Sequence, residues 1–333
     1  MEVTPSHQRI IVVEASQPSA ARYSAQDAAA GFGGEDEHRA GIIATELATN
    51  LVKHATGGEM LVRGASSGPD SDIEIIALDR GPGIAEIARA LGDGYSTSGS
   101  PGTGLGAARR MADEFDIYSQ RGRGTVVLAR VRAKRARRPA AKRLAFGGVS
   151  VAKSEEVCGD AWLVHDRADS ALVVVADGLG HGLQANEASV AAIGAVDPRK
   201  DDLVDHLQTM HGGLRHTRGA AAAIAEISVN PGLVKYAGVG NISALIHRPG
   251  VTRRTVSING TLGHEARAFR EYSYSWERDA VFVMYSDGLA SHWSLDDYPG
   301  LWQRHPALVA AVLYRDFSRQ RDDVTVVVGR ESA

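Results

Sequence analysis

Four places in the carboxyl-terminal half set an aspartate against the edge of an apolar run: Gly159-Asp160, Asp177-Gly178-Leu-Gly-His-Gly182, Tyr285-Ser-Asp287-Gly288 and Asp322-Asp323-Val-Thr325. One aspartate beside glycine is ordinarily a turn. Four in series, each next to a β-rich segment, suit something else. Carboxylates converging with a backbone carbonyl form the hard-oxygen environment that divalent ions such as Mg²⁺ and Mn²⁺ take. Two such ions about 3.5–4 Å apart clamp an in-line displacement at a phosphate ester.

The amino-terminal half carries different chemistry. Glu46 and Asn50 are four residues apart in a helical pattern, so they share a face that Lys53 continues. Downstream come Asp79-Arg-Gly81-Pro-Gly83 and a long Gly/Ser-rich stretch from Gly92 to Gly106 that opens another helix. Glycine-freed backbone N–H groups at a helix start make an anion site. The glycine spacing is not the dinucleotide fingerprint, and no lysine follows it as in a Walker loop. Taken singly, Glu46 and Asn50 also read as the exposed polar face of a helix. Lys53 reads equally as a phosphate contact or a surface charge, and His54 as structural.

These residues need elements to position them. In the first half the pattern predicts a strand at Ile10–Val13, a helix from Pro18 to about Ala30, and a helix from Glu35 to His54 with Ile42, Ile43, Leu47, Leu51 and Val52 as its apolar positions. Strands follow at Glu59–Gly64 and Asp72–Leu78, then a helix from Ala107 to about Asp113. The second half reads as many short strands, at Val149–Ala152, Ala161–Val164, Ala171–Ala176, Ala222–Val229, Leu233–Ala237, Ile242–His247, Ala280–Tyr285 and Val324–Val328. Helices are expected near Gln184–Ala195, Leu203–Gly212 and Pro306–Asp316. Strand-rich sequence with segregated helices suggests two packed sheets with outer helices.

Between the halves lies Arg130–Arg143, in which eight of fourteen residues are Lys or Arg and none is acidic. It has too few apolar residues to bury a face, and Pro139 interrupts any helix. A solvated linker is the expected reading, with a grip on nucleic acid as the alternative. At 333 residues the chain is about two domains long, and 44% hydrophobic with 23% charged residues is ordinary for a globular protein. A net charge of −3 argues against bulk nucleic-acid or anionic-membrane binding. Cys158 is the single cysteine, so no internal disulfide forms. No apolar run has the length of a membrane helix and the first residues do not read as a signal peptide, so a soluble, cytoplasmic protein is expected.

The order of parts in the first half resembles the GHKL ATPase/kinase fold, and within it the anti-sigma-factor type serine kinases. Asp93-Gly-Tyr-Ser-Thr-Ser-Gly99 followed by Met111-Ala-Asp-Glu-Phe115 is similar to the RsbT-like stressosome switch kinases. The likeness covers most of residues 8–131 and departs mainly within Ser100–Gly106. It implies a mixed sheet covered by helices, and ATP with Mg²⁺ as cofactors. Asn50 would supply oxygen to Mg²⁺, and Glu46 would orient the attacking hydroxyl or accept its proton. Asp79 would read the adenine amino group with Gly81 and Gly83 keeping that wall close. Thr103, Gly104 and Gly106 would close over the phosphates.

The second half resembles the metal-dependent PPM phosphatases of the SpoIIE-like branch, with the short RsbX-like members nearest. Cys158-Gly-Asp160, Ala176-Asp-Gly-Leu-Gly-His-Gly-Leu-Gln-Ala-Asn-Glu-Ala-Ser189, Arg218-Gly-Ala220 and Val239-Gly-Asn-Ile242 carry the likeness. It implies a β-sandwich flanked by helices and two Mn²⁺ or Mg²⁺ ions. Asp177 would bridge both ions, the Gly178 carbonyl would complete one shell, and Asp160, Asp287 and Asp322 would be the remaining ligands. Asp323 is left one step behind the metal. Asn241 and His181 would touch substrate or water, or for His181 serve structure. No arginine that grips the substrate phosphate is identifiable, and Cys158 reads as a packed side chain rather than a nucleophile.

The expected organisation is residues 1–131, a linker at 132–144, and 145–333. Two functions follow from the resemblances. In one, the chain is bifunctional: it phosphorylates Ser or Thr of STAS-domain antagonist or scaffold proteins and dephosphorylates such proteins in a stress-response, partner-switching pathway. In the other, the amino half is a nucleotide-dependent binding module with little turnover. Direct capture of a sigma factor is a weaker third reading.

Overall fold

The computed structural model describes residues 3–64, 72–92, 104–133, 142–154 and 157–332. The chain divides into two compact units, His7–Pro139 and Ala140–Ala333, the latter taking in Met1–Ser6. In the first unit β1 (Gln8–Ile11), α1 (Gln17–Ala28) and α2 (Gly34–His54) precede β2 (Glu59–Gly64) and β3 (Asp72–Leu78). The short α3 (Ile87–Ala90), α4 (Gly104–Met111), β4 (Glu114–Gln120) and β5 (Gly124–Arg132) complete it. The strand order is β1-β2-β3-β5-β4 and every neighbouring pair is antiparallel, not mixed as expected. Two helices rather than one lie between β1 and β2, so the chain re-enters the sheet running the opposite way.

Helix α2 buries Ala40, Ile43, Ala44, Leu47, Ala48 and Leu51 at helical spacing, packed with Ile73, Ile75 and Val127 of the sheet. Cutting one such leucine to alanine costs about 2–5 kcal/mol. That burial fixes the helix's rotation and leaves Glu46 and Asn50 half-buried on its flank. Glu35, Asp36 and Glu37 in the first turn and Lys53 and His54 in the last complement the helix dipole.

Arg130, expected in a solvated linker, is instead a residue of β5 lying across from Glu74 on β3. Its Nε and Nη2 stand 2.7 and 2.5 Å from Glu74 Oε2, while Arg63 Nη2 and His7 Nε2 lie 2.7 and 2.9 Å from Oε1. Arg130 and Arg132 also pair with Glu114. The local sequence looks like a linker because these partners sit far from it along the chain. At the other end of the run Lys142 and Arg143 pair with Asp166 and Asp169. Residues 134–141, which hold the rest of the expected linker, lie outside the described residues.

The second unit begins with β6 (Leu144–Val151), β7 (Asp160–Asp166) and β8 (Ser170–Gly178), then α5 (Leu183–Gly194) and α6 (Leu203–Gly213). Strands β9 (Ala220–Ser228), β10 (Leu233–Val239), β11 (Ser243–Arg248), β12 (Val251–Arg254), β13 (Tyr272–Ser275) and β14 (Val281–Tyr285) follow, closed by α7 (Pro306–Phe317) and β15 (Val324–Glu331). Two antiparallel sheets result, β13-β10-β9-β8-β7 and β12-β11-β14-β15-β6. Side chains alternate along each strand. On β8, Ala171, Val173 and Val175 join Trp162, Tyr236, Phe282 and Met284 between the sheets. Leu172, Val174 and Ala176 join Ile193, Leu207 and Met210 of α5 and α6 on the other face. Helix α7 packs on β6 and β15.

The amino-terminal residues differ from expectation. Residues 1–6 group with this second unit, where Thr4 donates its N–H to the Trp162 carbonyl at 3.1 Å. Among the described residues no helix is long and apolar enough to cross a membrane.

Candidate functional site

The antiparallel register of β7 and β8 sets Asp160 directly opposite Asp177. Opposed residues of a strand pair put their side chains on one face, so the two carboxylates are cross-strand neighbours. Gly178, next along, lies so close under α5 that a Cβ there would fall 1.9 Å from the Ala185 carbonyl oxygen. Only glycine fits, and the loop Leu179–Gly182 springs from that point to the N-cap of α5. Asp287 follows β14 and Asp322 precedes β15, which are paired strands of the other sheet.

Neighbouring groups hold each carboxylate differently. Asp160 is buried; its Oδ2 accepts a 2.7 Å bond from Ser286 Oγ, while its Oδ1 is buried with no hydrogen-bond partner. Ser286 is itself fixed by accepting the Thr325 N–H at 2.9 Å. Asp287 Oδ2 accepts from Asn241 Nδ2 at 2.7 Å. Asp322 is exposed and its Oδ1 accepts the Asp323 N–H at 3.0 Å. Asp323 points elsewhere: its two oxygens accept the N–H groups of Lys153 and Gly159, both at 2.7 Å, which ties the turn before Asp160 to the start of β15.

Burial and then mutual repulsion govern their protonation. Burial pushes the Asp177 carboxyl up to about 9, helped by the charges of Asp160, Asp287 and Asp322. Asp160 rises to about 7, again from burial, with Ser286 opposing and Asp323 adding to the rise. Asp287 is raised by burial and by Asp322. Asp177 thus feels the charge of all three other expected ligands. No group of three or more His, Cys, Asp or Glu side chains among the described residues forms a ready-made metal cage. The fit to a divalent ion rests on the orphaned buried Asp160 Oδ1 and on an all-oxygen donor set whose charges repel one another. Burial and the nearby Asp160 and Asp323 push the Cys158 thiol far up, so it is no nucleophile at neutral pH.

In the first unit the start of α4 meets the flank of α2. A Cβ on Gly104 would lie 3.0 Å from Glu46 Oε2 and 3.2 Å from Asn50 Oδ1, so backbone sits where any side chain would crowd both groups. Gly106 is buried in α4. Asp79 Oδ1 accepts the Gly81 N–H at 2.6 Å and Oδ2 the Thr125 N–H at 3.3 Å. Gly83 adopts φ +75°, with its missing Cβ position 2.4 Å from the Gln120 carbonyl. Lys53 and His54 are exposed at the end of α2. Thr103, with residues 93–102 of the Gly-rich stretch, lies outside the described residues. His181 and Asn241 are exposed beside the carboxylates' loops.

Comparison with known proteins follows this division. Residues 12–131 match the histidine kinase-like ATPase domain family, and residues 167–330 match the Stage II sporulation protein E (SpoIIE) family. The serine/threonine-protein kinase RsbT of Bacillus subtilis (strain 168) is 38% identical over 99 residues, 30% of this chain and 74% of that protein. The chain belongs to the histidine kinase-like ATPase family at its amino end, and its carboxyl end is similar to the SpoIIE family. It is a fusion of a kinase-like ATPase domain with a PPM-type phosphatase domain. The phosphoserine phosphatase RsbX of the same organism is 24% identical over 184 residues, 54% of this chain and 90% of that protein. A crystal structure of RsbX in complex with magnesium superposes with a TM-score of 0.50 at 22% identity, over 58% of this chain and 98% of that one, and so shares the fold. Asp160 lies ahead of the SpoIIE match, so its place in the site rests on the strand register and on its bond from Ser286.

Sequence reasoning missed Ser286. It stands in the quoted Tyr285-Ser-Asp287 run, but only the sheet shows that its hydroxyl reaches Asp160, 126 residues upstream. Asp323 clamps two backbone N–H groups, a role its place in the sequence does not announce.

Proposed function

We propose that the chain is a bifunctional regulator of a partner-switching pathway. Its amino-terminal unit binds Mg²⁺-ATP and transfers the γ-phosphoryl group to Ser or Thr of a STAS-domain antagonist or scaffold protein. Its carboxyl-terminal unit hydrolyses phosphoserine or phosphothreonine on such proteins. The observation that carries the reading is the Asp160–Asp177 pair, cross-strand neighbours whose charges repel, Asp160 buried with one oxygen orphaned and Asp177 half-buried beside it. Such a pair is costly to keep unless cations neutralise it in use.

Asp177 and Asp160 would hold two Mn²⁺ or Mg²⁺ ions with the Gly178 carbonyl, Asp287 and Asp322. Bound there, the ions supply Lewis acidity toward the phosphoryl oxygens and acidify water. The protein's part is orientation: Ser286 fixes Asp160, Asn241 fixes Asp287, and Asp323 fixes the turn that presents Asp160. Leu179 and Leu183 stand 57% and 63% exposed on the adjoining loop, which supports a protein rather than a small molecule as the substrate. In the other unit Asn50 would give its amide oxygen to Mg²⁺ and Glu46, beside it, would take the proton of the attacking hydroxyl. Asp79 would accept from the adenine amino group, and Lys53, Gly81, Gly83, Thr103, Gly104 and Gly106 would line the nucleotide.

Two opposed activities on one chain would consume ATP to no end, so an input must favour one, or the two must act on different proteins. Incubating the full chain with γ-labelled ATP and a STAS-domain protein, with and without Mn²⁺, tests both halves. Label should enter serine or threonine, and the wild-type chain should lose it again with Mg²⁺ or Mn²⁺ while Asp177→Asn retains it. Glu46→Gln should abolish entry while leaving removal intact; label that enters regardless would refute the kinase assignment.

A further inference from the structure

The carboxylate site as described has an imbalance. A phosphate monoester approaching Asp160, Asp177, Asp287 and Asp322 brings more negative charge to a negative place, which Arg319, near enough to lower Asp287, offsets only in part. The sequence offered no arginine for the task, but the sheet register does. Strands β8 and β9 pair Asp177 with Ala221 and Gly178 with Ala220. Continued two residues past that last pair, the register sets Arg218 opposite Gly180, three residues beyond Asp177.

The side chain follows the backbone. Arg218 Nη1 lies 2.9 Å from where a Cβ on Gly180 would stand, so the guanidinium rests on the open face of that glycine. The two segments are tied: Leu179 donates its N–H to the Gly219 carbonyl at 3.0 Å. The turn carrying Arg218 is braced in its turn, since Thr217 Oγ1 accepts the Gly219 N–H at 3.0 Å and donates to the Leu214 carbonyl at 2.8 Å. Gly219 holds φ +82°, with Leu262 and His264 so near that a side chain would collide.

Several arginines of this unit are already engaged. Arg167, Arg248, Arg254 and Arg315 in the same unit each donate to a carboxylate, hydroxyl or carbonyl. Arg218 is exposed and, among the described residues, its guanidinium has no hydrogen-bond or ion-pair partner. An arginine held against the loop of an acidic site, on a braced turn and unpaired, has its donor fork free for an anion. A guanidinium matches a phosphoryl group with two parallel N–H bonds, which an ammonium cannot do. We propose that Arg218 receives the phosphoryl group of the substrate at the carboxylate site, and retains inorganic phosphate there as product. This rests on the phosphatase reading above.

The test uses the full chain with Mn²⁺ or Mg²⁺ and two substrates, 4-nitrophenyl phosphate and a phosphoserine peptide. Arg218→Ala should raise KM for both by about tenfold or more, and weaken competitive inhibition by inorganic phosphate in step, with kcat less affected. Arg218→Lys should recover part of the loss, because charge returns without the fork. A second readout needs no turnover: the ³¹P line of inorganic phosphate, broadened by the Mn²⁺-loaded chain, should sharpen with Arg218→Ala. If KM, phosphate inhibition and line width all stay within about twofold of wild type, or kcat alone falls, the assignment is overturned. A wild-type chain that neither hydrolyses nor binds phosphate with either metal would instead overturn the phosphatase reading, and this inference with it.

Discussion

Each unit buries carboxylate charge, and the two treat it in opposite ways. In the first, burial works to raise Glu74, but Arg130, Arg63 and His7 overcome it and hold the carboxyl well below its ordinary range. In the second, burial pushes Asp160 and Asp177 up to about 7 and 9, and neighbouring carboxylates add to the rise where cations would oppose it. A buried charge whose counter-charges are supplied by the chain serves the fold. One that lacks them serves a ligand that brings them. The contrast separates these two kinds of carboxylate better than depth of burial, which Glu74 and Asp160 share.

The sharpest way to break this comparison is to remove the charge on each side. Glu74→Ala leaves Arg63 and Arg130 facing each other with their shared acceptor gone, and should cost about 3–5 kcal/mol in urea unfolding of the full chain. A loss below about 1 kcal/mol would mean that solvent already satisfies them. Asp177→Asn should do the reverse to stability. It removes the carboxylate that the others repel, so the metal-free melting temperature should rise while phosphoester hydrolysis falls by about a hundredfold or more. A variant that is both less stable and fully active would end the metal-site reading of Asp177.

The pH dependence sharpens the same contrast. Asp160 and Asp177 keep protons in the folded, metal-free chain at pH values where unfolded carboxylates, ordinarily near 3.8, have lost them. The folded state then binds more protons, so this unit's stability is greatest below that value and declines as pH rises toward 7 and 9. Glu74 has the opposite sign: its contribution is present above its ordinary 4.5 and is lost as pH falls through its depressed folded value. Calorimetry in chelator from pH 5 to 8, assigned with Glu74→Ala and Asp177→Asn, should show the carboxyl-terminal transition moving down. Added Mg²⁺ should restore it most at the alkaline end. The smallest effect expected is at Gly104→Ala, whose methyl would press on Glu46 and Asn50. Phosphoryl transfer should drop by about tenfold or less, with folding unchanged, by quantitative labelling of the substrate protein.

Much of this was legible in the chain. Strands β2 and β3 fall where their apolar runs and flanking glycines put them, and α2 was readable from its leucines and isoleucines. The four aspartates stood out because each abuts a strand. What escaped depends on partners distant in sequence. Arg130 looks like the first residue of a basic tether until Glu74 is brought across from it on β3. Strand β12 is exposed along its whole length and ends in two arginines, so it carries no inward-outward alternation to read. Ser286 and Arg218 have ordinary local contexts; only strand register gives them their neighbours.

Strand β7 ends its sheet, with β8 as its only strand neighbour among the described residues and Thr4 reaching its Trp162 carbonyl from elsewhere. Its first residue is Asp160, and the residue opposite is Asp177. A cation shared by that pair would act as a rivet through the sheet's margin, fastening its outermost strand at one tip. Loading the site should therefore slow amide exchange along Asp160–Asp166, letting the chain's own hem report whether the enzyme is charged for work.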